Sequence, residues 1–128
     1  MTDEVLGRGV AFPLRISGPG LAESAGVARV EESIRIILGT QYGERVMRPG
    51  FGANLKSLVF APNNAATASL AAYYVTDALG RWEQRIDVLD VRVTNDVDAG
   101  ALVIEIRYRL RATAQEHQLV LPFLLERG

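Results

Sequence analysis

The period of apolar positions along the chain changes from helical to extended near residue 85. Val30, Ile34, Ile37 and Leu38 recur at i, i+4, i+7 and i+8, one stripe of a 3.6-residue period. Gly39 follows the last of them, where a helix end takes a residue tolerant of positive φ. A second stripe, Ala71, Tyr74, Val75, Ala78, Leu79 and Trp82, predicts a helix about three turns long. Asn63 or Asn64 stands where a short polar side chain caps such a helix. Its alanines permit close packing and Trp82 supplies buried area, so it is expected to be the longest helix and the main support of a sheet. Asp77 and Arg81 add an i, i+4 pair on its outer side.

From Leu89 onward the period is two. Leu89, Val91 and Val93 alternate with Asp90, Arg92 and Thr94, a half-buried strand. Asn95 to Gly100 reads as a polar turn. Leu102, Ile104, Ile106, Tyr108 and Leu110 then alternate with Val103, Glu105, Arg107, Arg109 and Arg111, the clearest strand in the sequence. Thr113 to Glu116 turns the chain back into a third strand, His117 to Leu125, with Leu119, Leu121, Phe123 and Leu125 on one face. Its other face holds Gln118, Val120, Pro122 and Leu124, so much of both sides is apolar. Pro122 cannot donate to a ladder, which puts this strand at an edge or ends its pairing there. An apolar edge strand invites aggregation unless covered. Either a partner chain covers it by strand addition, through Leu119, Val120, Leu121 and Phe123, or residues 1–16 fold back over it.

The fold class that follows is α+β: a single domain of two helices, one long, packed on a mainly antiparallel C-terminal sheet. Residues 30–128 form this domain and residues 1–29 an N-terminal arm, either mobile or ordered on a partner. In the arm, Val10 to Ile16 suits an extended segment and Ser17-Gly18-Pro19-Gly20 a turn. Between the helices, Gly43, Pro49, Gly50 and Gly52 are interleaved with Glu44, Arg45, Arg48 and Phe51. So many backbone specialists in one stretch specify a shaped loop.

Bulk properties narrow the function classes. At 128 residues the chain suits one core. A formal net charge of −1 gives no global attraction to nucleic acid or anionic membrane. No cysteine is present, which excludes disulfides and thiolate chemistry. No apolar run is long enough to span a bilayer, and Asp3 and Glu4 stand where a secretory signal would carry basic residues. Assembly in the cytoplasm is expected.

The central stretch resembles a known family. Ile37-Leu38-Gly39-Thr40, Gly43-Glu44-Arg45-Val46-Met47-Arg48-Pro49, Phe51-Gly52, Leu55 and Leu58-Val59-Phe60-Ala61-Pro62 are similar to the signature of the small baseplate wedge proteins of contractile tails. These occur in phages, in extracellular contractile injection systems and, as TssE, in type VI secretion. The unbroken GERVMRPGFG run and the LVFAP ending look more like the first two. The resemblance implies a structural subunit, in six copies per baseplate, that attaches to the wedge core-bundle proteins and other baseplate subunits. It also implies that the sheet offers sheath protein a template for its first ring, and that the N-terminal segment embraces neighbours. At the junction of long helix and sheet, the family carries a Glu-Pro-Arg triplet implicated in contact with the core bundle. Here it reads Glu83-Gln84-Arg85, keeping the charges and losing the rigid proline.

Other charged groups have bland readings beside functional ones. Arg107, Arg109 and Arg111, joined by Arg92, form either a solvated outer face or a surface for a partner's carboxylates. Nucleic acid is disfavoured because no aromatic platform interleaves them. Glu44, Arg45 and Arg48 either brace the glycine-rich loop or face a neighbour. Some family members carry a lysozyme-like label, so a muramidase is an alternative, as is a free regulatory adaptor. A glycosidase needs one carboxyl of raised pKa, yet Asp87 and Asp90 point outward and arginines near Glu44 and Glu83 depress theirs. The single histidine, His117, reads as a surface residue at a strand edge. Neither a metal cluster nor a nucleotide loop can be assembled, and no cofactor is expected. The protein reads as non-enzymatic.

Overall fold

Two helices lie in sequence before a three-stranded antiparallel sheet, in a computed structural model that describes residues 19–40 and 52–126. Helix α1 spans Pro19–Gly39 and α2 spans Ala65–Trp82. The strands are β1 (Ile86–Asp96), β2 (Ala101–Leu110) and β3 (Glu116–Leu124), in the order β1-β2-β3.

The stripe Val30, Ile34, Ile37 and Leu38 is buried along α1. The helix starts earlier than its apolar stripe. Pro19 and Gly20, expected in a turn, open the helix instead, because proline's fixed φ suits a first helical position where no N–H is needed. At 21 residues α1 is therefore longer than α2, at 18, reversing the expected order of lengths. Gly39 is its last residue as expected, without the positive φ that among the described glycines only Gly52 and Gly100 adopt.

Asn64 is the cap of α2: its side-chain oxygen accepts from the Thr67 N–H at 3.0 Å. Ala71, Val75, Ala78 and Leu79 are buried, while Tyr74 and Trp82 pack at the margin. This helix lies against β1 and supports the sheet. Between the helices, Leu55–Leu58 forms one 3-10 turn whose two leucines enter the core. The neighbouring Val59 to Asn64 segment ties down the far end of the sheet. The Val59 carbonyl accepts from the Glu126 N–H at 2.6 Å. Asn63 donates to the carbonyls of Asp96 and Ala101, and Asn95 donates back to Asn63 at 2.8 Å.

Strand β2 is central and carries the core, with Leu102, Ile104, Ile106, Tyr108 and Leu110 all buried. Strand β1 departs from simple alternation. A register shift between Val88 and Asp90 leaves Leu89 as an extra residue, so Val88, Val91 and Val93 share the core face and Leu89 drops out of their row. The same bulge lets Asp87 and Asp90, of opposite parity, both face outward. The Tyr108 hydroxyl reaches α1 and donates to Glu31 at 2.9 Å. Burial pushes the Tyr108 phenol up, and the Glu31 carboxylate adds to that shift. His117 lies on the core-facing side of β3, half-buried, its ring 5.7 Å from that of Tyr108. The surface expectation fails there because His117 has the parity of Leu119 and Leu121.

Candidate functional site

The junction of α2 and β1 places Glu83 and Arg85 on a two-residue turn. Glu83 follows the helix, and its N–H still donates to the Leu79 carbonyl at 3.0 Å. Its side chain is turned inward and is only 3% exposed. The Arg85 guanidinium meets it with two bonds, Nε to Oε1 at 2.8 Å and Nη2 to Oε2 at 2.9 Å. The Arg85 N–H adds a third, at 3.3 Å. Burial would raise the Glu83 pKa. Hydrogen bonds from Arg85 and from the Ser33 hydroxyl on α1 outweigh it and hold the carboxyl below its ordinary value. Glu83 thus links α1, the end of α2 and the start of β1. Arg85 remains half exposed and is aimed by a buried partner. Gln84 takes no part in this pairing; its amide donates to the Arg81 carbonyl at 3.2 Å.

The arginine row lies on the outer face beside this turn. The Arg111 N–H donates to the Arg85 carbonyl at 2.9 Å, which continues the β1–β2 ladder into the junction. Asp87 receives two of the arginines, Arg111 at 2.9 Å and Arg109 at 3.4 Å. Arg111 is the larger cause that holds the Asp87 pKa down. Arg107 meets Glu116 at 3.5 Å, and Arg92 meets Asp90 at 3.6 Å. All of these side chains are substantially exposed, so the pairs contribute little stability. One carboxylate serving two guanidiniums leaves this end of the sheet locally positive.

The opposite end is apolar. Phe60, Val97 and Leu124 are each more than 60% exposed, and Val120 is 52% exposed. Phe60, Pro62, Val97, Gly100 and Leu125 line a shallow cavity of about 270 Å³ there. Leu119 is buried, whereas Leu121 and Phe123 pack at the margin of the core. Of the four expected contact residues of the last strand, Val120 therefore has the outward side chain.

Backbone geometry shows which groups of β3 are free. The register of β2 and β3 continues through two hydrogen-bonded pairs at its ends, Leu125 N–H to Gly100 at 2.8 Å and Leu110 N–H to Gln115 at 2.9 Å. Antiparallel ladders alternate, so the odd-numbered residues of β3 bond to β2. Glu116, Gln118, Val120, Pro122 and Leu124 turn their backbone groups to the open edge. Pro122 thus removes a donor from the edge and none from the ladder.

Glu44, Arg45 and Arg48 lie outside the described residues. The structure joins Glu83 and Arg85 to the arginine row, and separates both from the apolar end of β3. Sequence reading missed Asp87 as the shared partner of Arg109 and Arg111, because the register that sets it opposite Arg109 belongs to the folded sheet. Ser33 left no signal either, since its contact crosses from another helix. Among the described residues no group of acidic, histidine or cysteine side chains is placed to hold a metal, and no helix is long and apolar enough to cross a membrane.

Comparison with known proteins agrees with the resemblance in the central stretch. Residues 24–115 match the family model described as baseplate wedge protein gp25. The gp25 baseplate wedge protein of Enterobacteria phage T4 is 31% identical over 88 residues, covering 69% of this chain and 67% of its own. A protein of Geobacter sulfurreducens labelled a tail lysozyme has a crystal structure with a TM-score of 0.72 and 41% identity, covering 91% of this chain and 99% of that one. A chain of the post-contraction pyocin R2 baseplate gives a TM-score of 0.51 at 29% identity, covering 77% and 85%.

Proposed function

The chain belongs to the gp25 family of baseplate wedge proteins, and from that premise we propose that it joins the wedge core bundle to the first sheath ring and templates sheath assembly by strand addition. It is a structural component of the baseplate of a phage tail or contractile injection particle. The observation that carries the finer reading is the difference between the two edges of the sheet. Strand β1 is blunted by its bulge and by Asp87, Asp90, Arg92 and Asp96. Strand β3 has an unbroken register, and no Asp, Glu, Lys or Arg occurs from His117 to Leu125. Its open edge suits a partner strand that pairs through the main chain.

In this reading Arg85, aimed by Glu83, faces the core bundle. Arg107, Arg109 and Arg111 offer surplus positive charge to a neighbouring subunit's carboxylates, and Glu44, Arg45 and Arg48 contribute a further contact. The arm, residues 1–29, reaches adjacent subunits, while residues 30–128 act as the domain held in each of six wedges. A hydrolytic role is less well supported. A glycosidase acid must stay protonated near neutral pH, and Glu83 is shifted the other way.

Electron microscopy of particles from a strain lacking this gene, complemented with the Val120→Pro form, tests the proposal. The Val120 N–H faces the open edge, so the variant leaves the chain's own ladder intact and removes a donor from the partner's. Bare tubes or missing sheaths, with the variant folded, are expected. Normally sheathed particles would overturn strand addition at β3, and normal particles in the deletion would overturn the structural role.

A further inference from the structure

Resting on that reading, we infer that Pro122 reserves the open edge of β3 for a strand of a different chain, by penalising the pairing of two copies of this one. The edge is otherwise an invitation to self-association: extended, unbroken in register, without formal charge past Glu116, and apolar on its outer face at Val120 and Leu124. Pro122 is the one outward-facing position from Glu116 to Leu124 that lacks an N–H.

Symmetry makes this single gap count unequally. Two copies pairing through β3 do so about a two-fold axis, so any register that includes Pro122 includes it twice. In the register centred on Val120, each Pro122 stands opposite a Gln118 whose carbonyl receives no donor. The same register sets Leu124 beside Glu116, an apolar side chain against a carboxylate, at both ends. A foreign strand meets Pro122 once. It can also match the gradient of the outer face, polar beside Glu116 and Gln118 and apolar beside Val120 and Leu124. The occupant this edge fits is therefore a heterologous strand with apolar outward residues toward the Leu124 end.

Sedimentation velocity of the full-length protein over a concentration series tests the inference, with Pro122→Thr and Pro122→Ala measured beside wild type. Restoring two main-chain bonds is expected to tighten self-association roughly thirtyfold. Adding Val120→Pro to either variant removes two donors again and is expected to restore wild-type behaviour. Alanine avoids the β-branch, so a folding defect confined to threonine does not hide the readout. Variants that self-associate no more than wild type would overturn the inference, as would a dimer that survives Val120→Pro. Sheath assembly reads the underlying function separately. Unchanged self-association in the Pro122 variants, with sheathing lost in Val120→Pro, would remove the role of Pro122 and leave strand addition standing. Self-association in those variants with normal sheathing in Val120→Pro would do the reverse.

Discussion

Both carboxylate oxygens of Glu83 are held by the Arg85 guanidinium, at 2.8 and 2.9 Å, with the acid buried and the base half in solvent. This asymmetry sets what each substitution does. Arg85→Ala leaves a buried carboxylate supported by Ser33 but without its cation. Removing one partner of a fully buried pair costs about 3–5 kcal/mol, and the exposure of Arg85 reduces that here to about 1–2 kcal/mol. Glu83→Ala with Arg85→Ala removes both charges together and is expected to keep the fold. Chemical denaturation of both forms distinguishes them; a double variant less stable than Arg85→Ala would contradict this account. Wedge assembly then reads the binding role, and the folded double variant is expected to fail in it.

The same pair predicts a pH dependence with a definite sign. Glu83 and Asp87 both have folded pKa values below their ordinary values of 4.5 and 3.8. Their contribution is therefore fully present above those ordinary values and is lost as pH falls through the lowered folded ones. Melting temperatures measured from pH 7 down to pH 3 are expected to hold near neutrality and fall below about pH 4.5. Glu83→Gln is expected to flatten part of that fall. An unchanged slope in the variant would show that Glu83 does not carry it.

Gly52 lies against the Thr40 carbonyl so closely that a Cβ placed there would stand 2.2 Å from the oxygen. That oxygen is itself fixed, because it accepts from the Ala53 N–H at 2.8 Å. With φ at +113°, Gly52→Ala meets both a clash and a disfavoured backbone, and is expected to lose at least about 2 kcal/mol. Gly100 is the control. Its φ is +65°, but a Cβ would have only the Leu125 carbonyl oxygen near it, at 4.0 Å. Gly100→Ala is expected to lose about 1 kcal/mol. Equal losses on thermal melting would mean that contact with Thr40 adds nothing.

Two adjacent asparagines do different work. Asn64→Ala removes the cap of α2 and is expected to cost about 1 kcal/mol, a fall in Tm of roughly 3–5 °C. Asn63→Ala removes bonds to the Asp96 and Ala101 carbonyls and to Asn95, at the tip of the β1–β2 hairpin. Its local signature is faster amide hydrogen exchange around residues 95–101, with little change in α2. Faster exchange spread equally over α2 would contradict the assignment.

Tyr108 is expected to resist ionisation. Burial raises its folded pKa above the ordinary value of 10.0, so its contribution is complete below pH 10 and is lost as pH rises further. Spectrophotometric titration is expected to show one phenol ionising only with alkaline unfolding. Tyr108→Phe removes that step and the bond to Glu31, at about 1 kcal/mol. Loss of the step from a different tyrosine would refute the placement.

Local pattern determined much of this molecule. The α1 stripe, the Asn64 cap, the alternation through β2 and the edge placement implied by Pro122 depend on neighbours within a turn or along one strand, so spacing alone reveals them. The contractile-tail signature from Ile37 to Pro62 is equally a property of the linear chain. Tertiary structure decided the rest. One extra residue at Leu89 resets the phase of β1, and only pairing with β2 shows where that residue is absorbed. Glu83 and Arg85 were legible as a pair. The Ser33 hydroxyl that supports the buried Glu83 carboxylate comes from fifty positions away. Asp87 gathers Arg109 and Arg111 because antiparallel pairing sets Arg109 opposite it and Arg111 on the diagonal. Gly52 has no room for a side chain because its backbone lies against the Thr40 carbonyl. In each case the deciding partner is distant in sequence, and a contact between distant residues leaves no period in the chain to read.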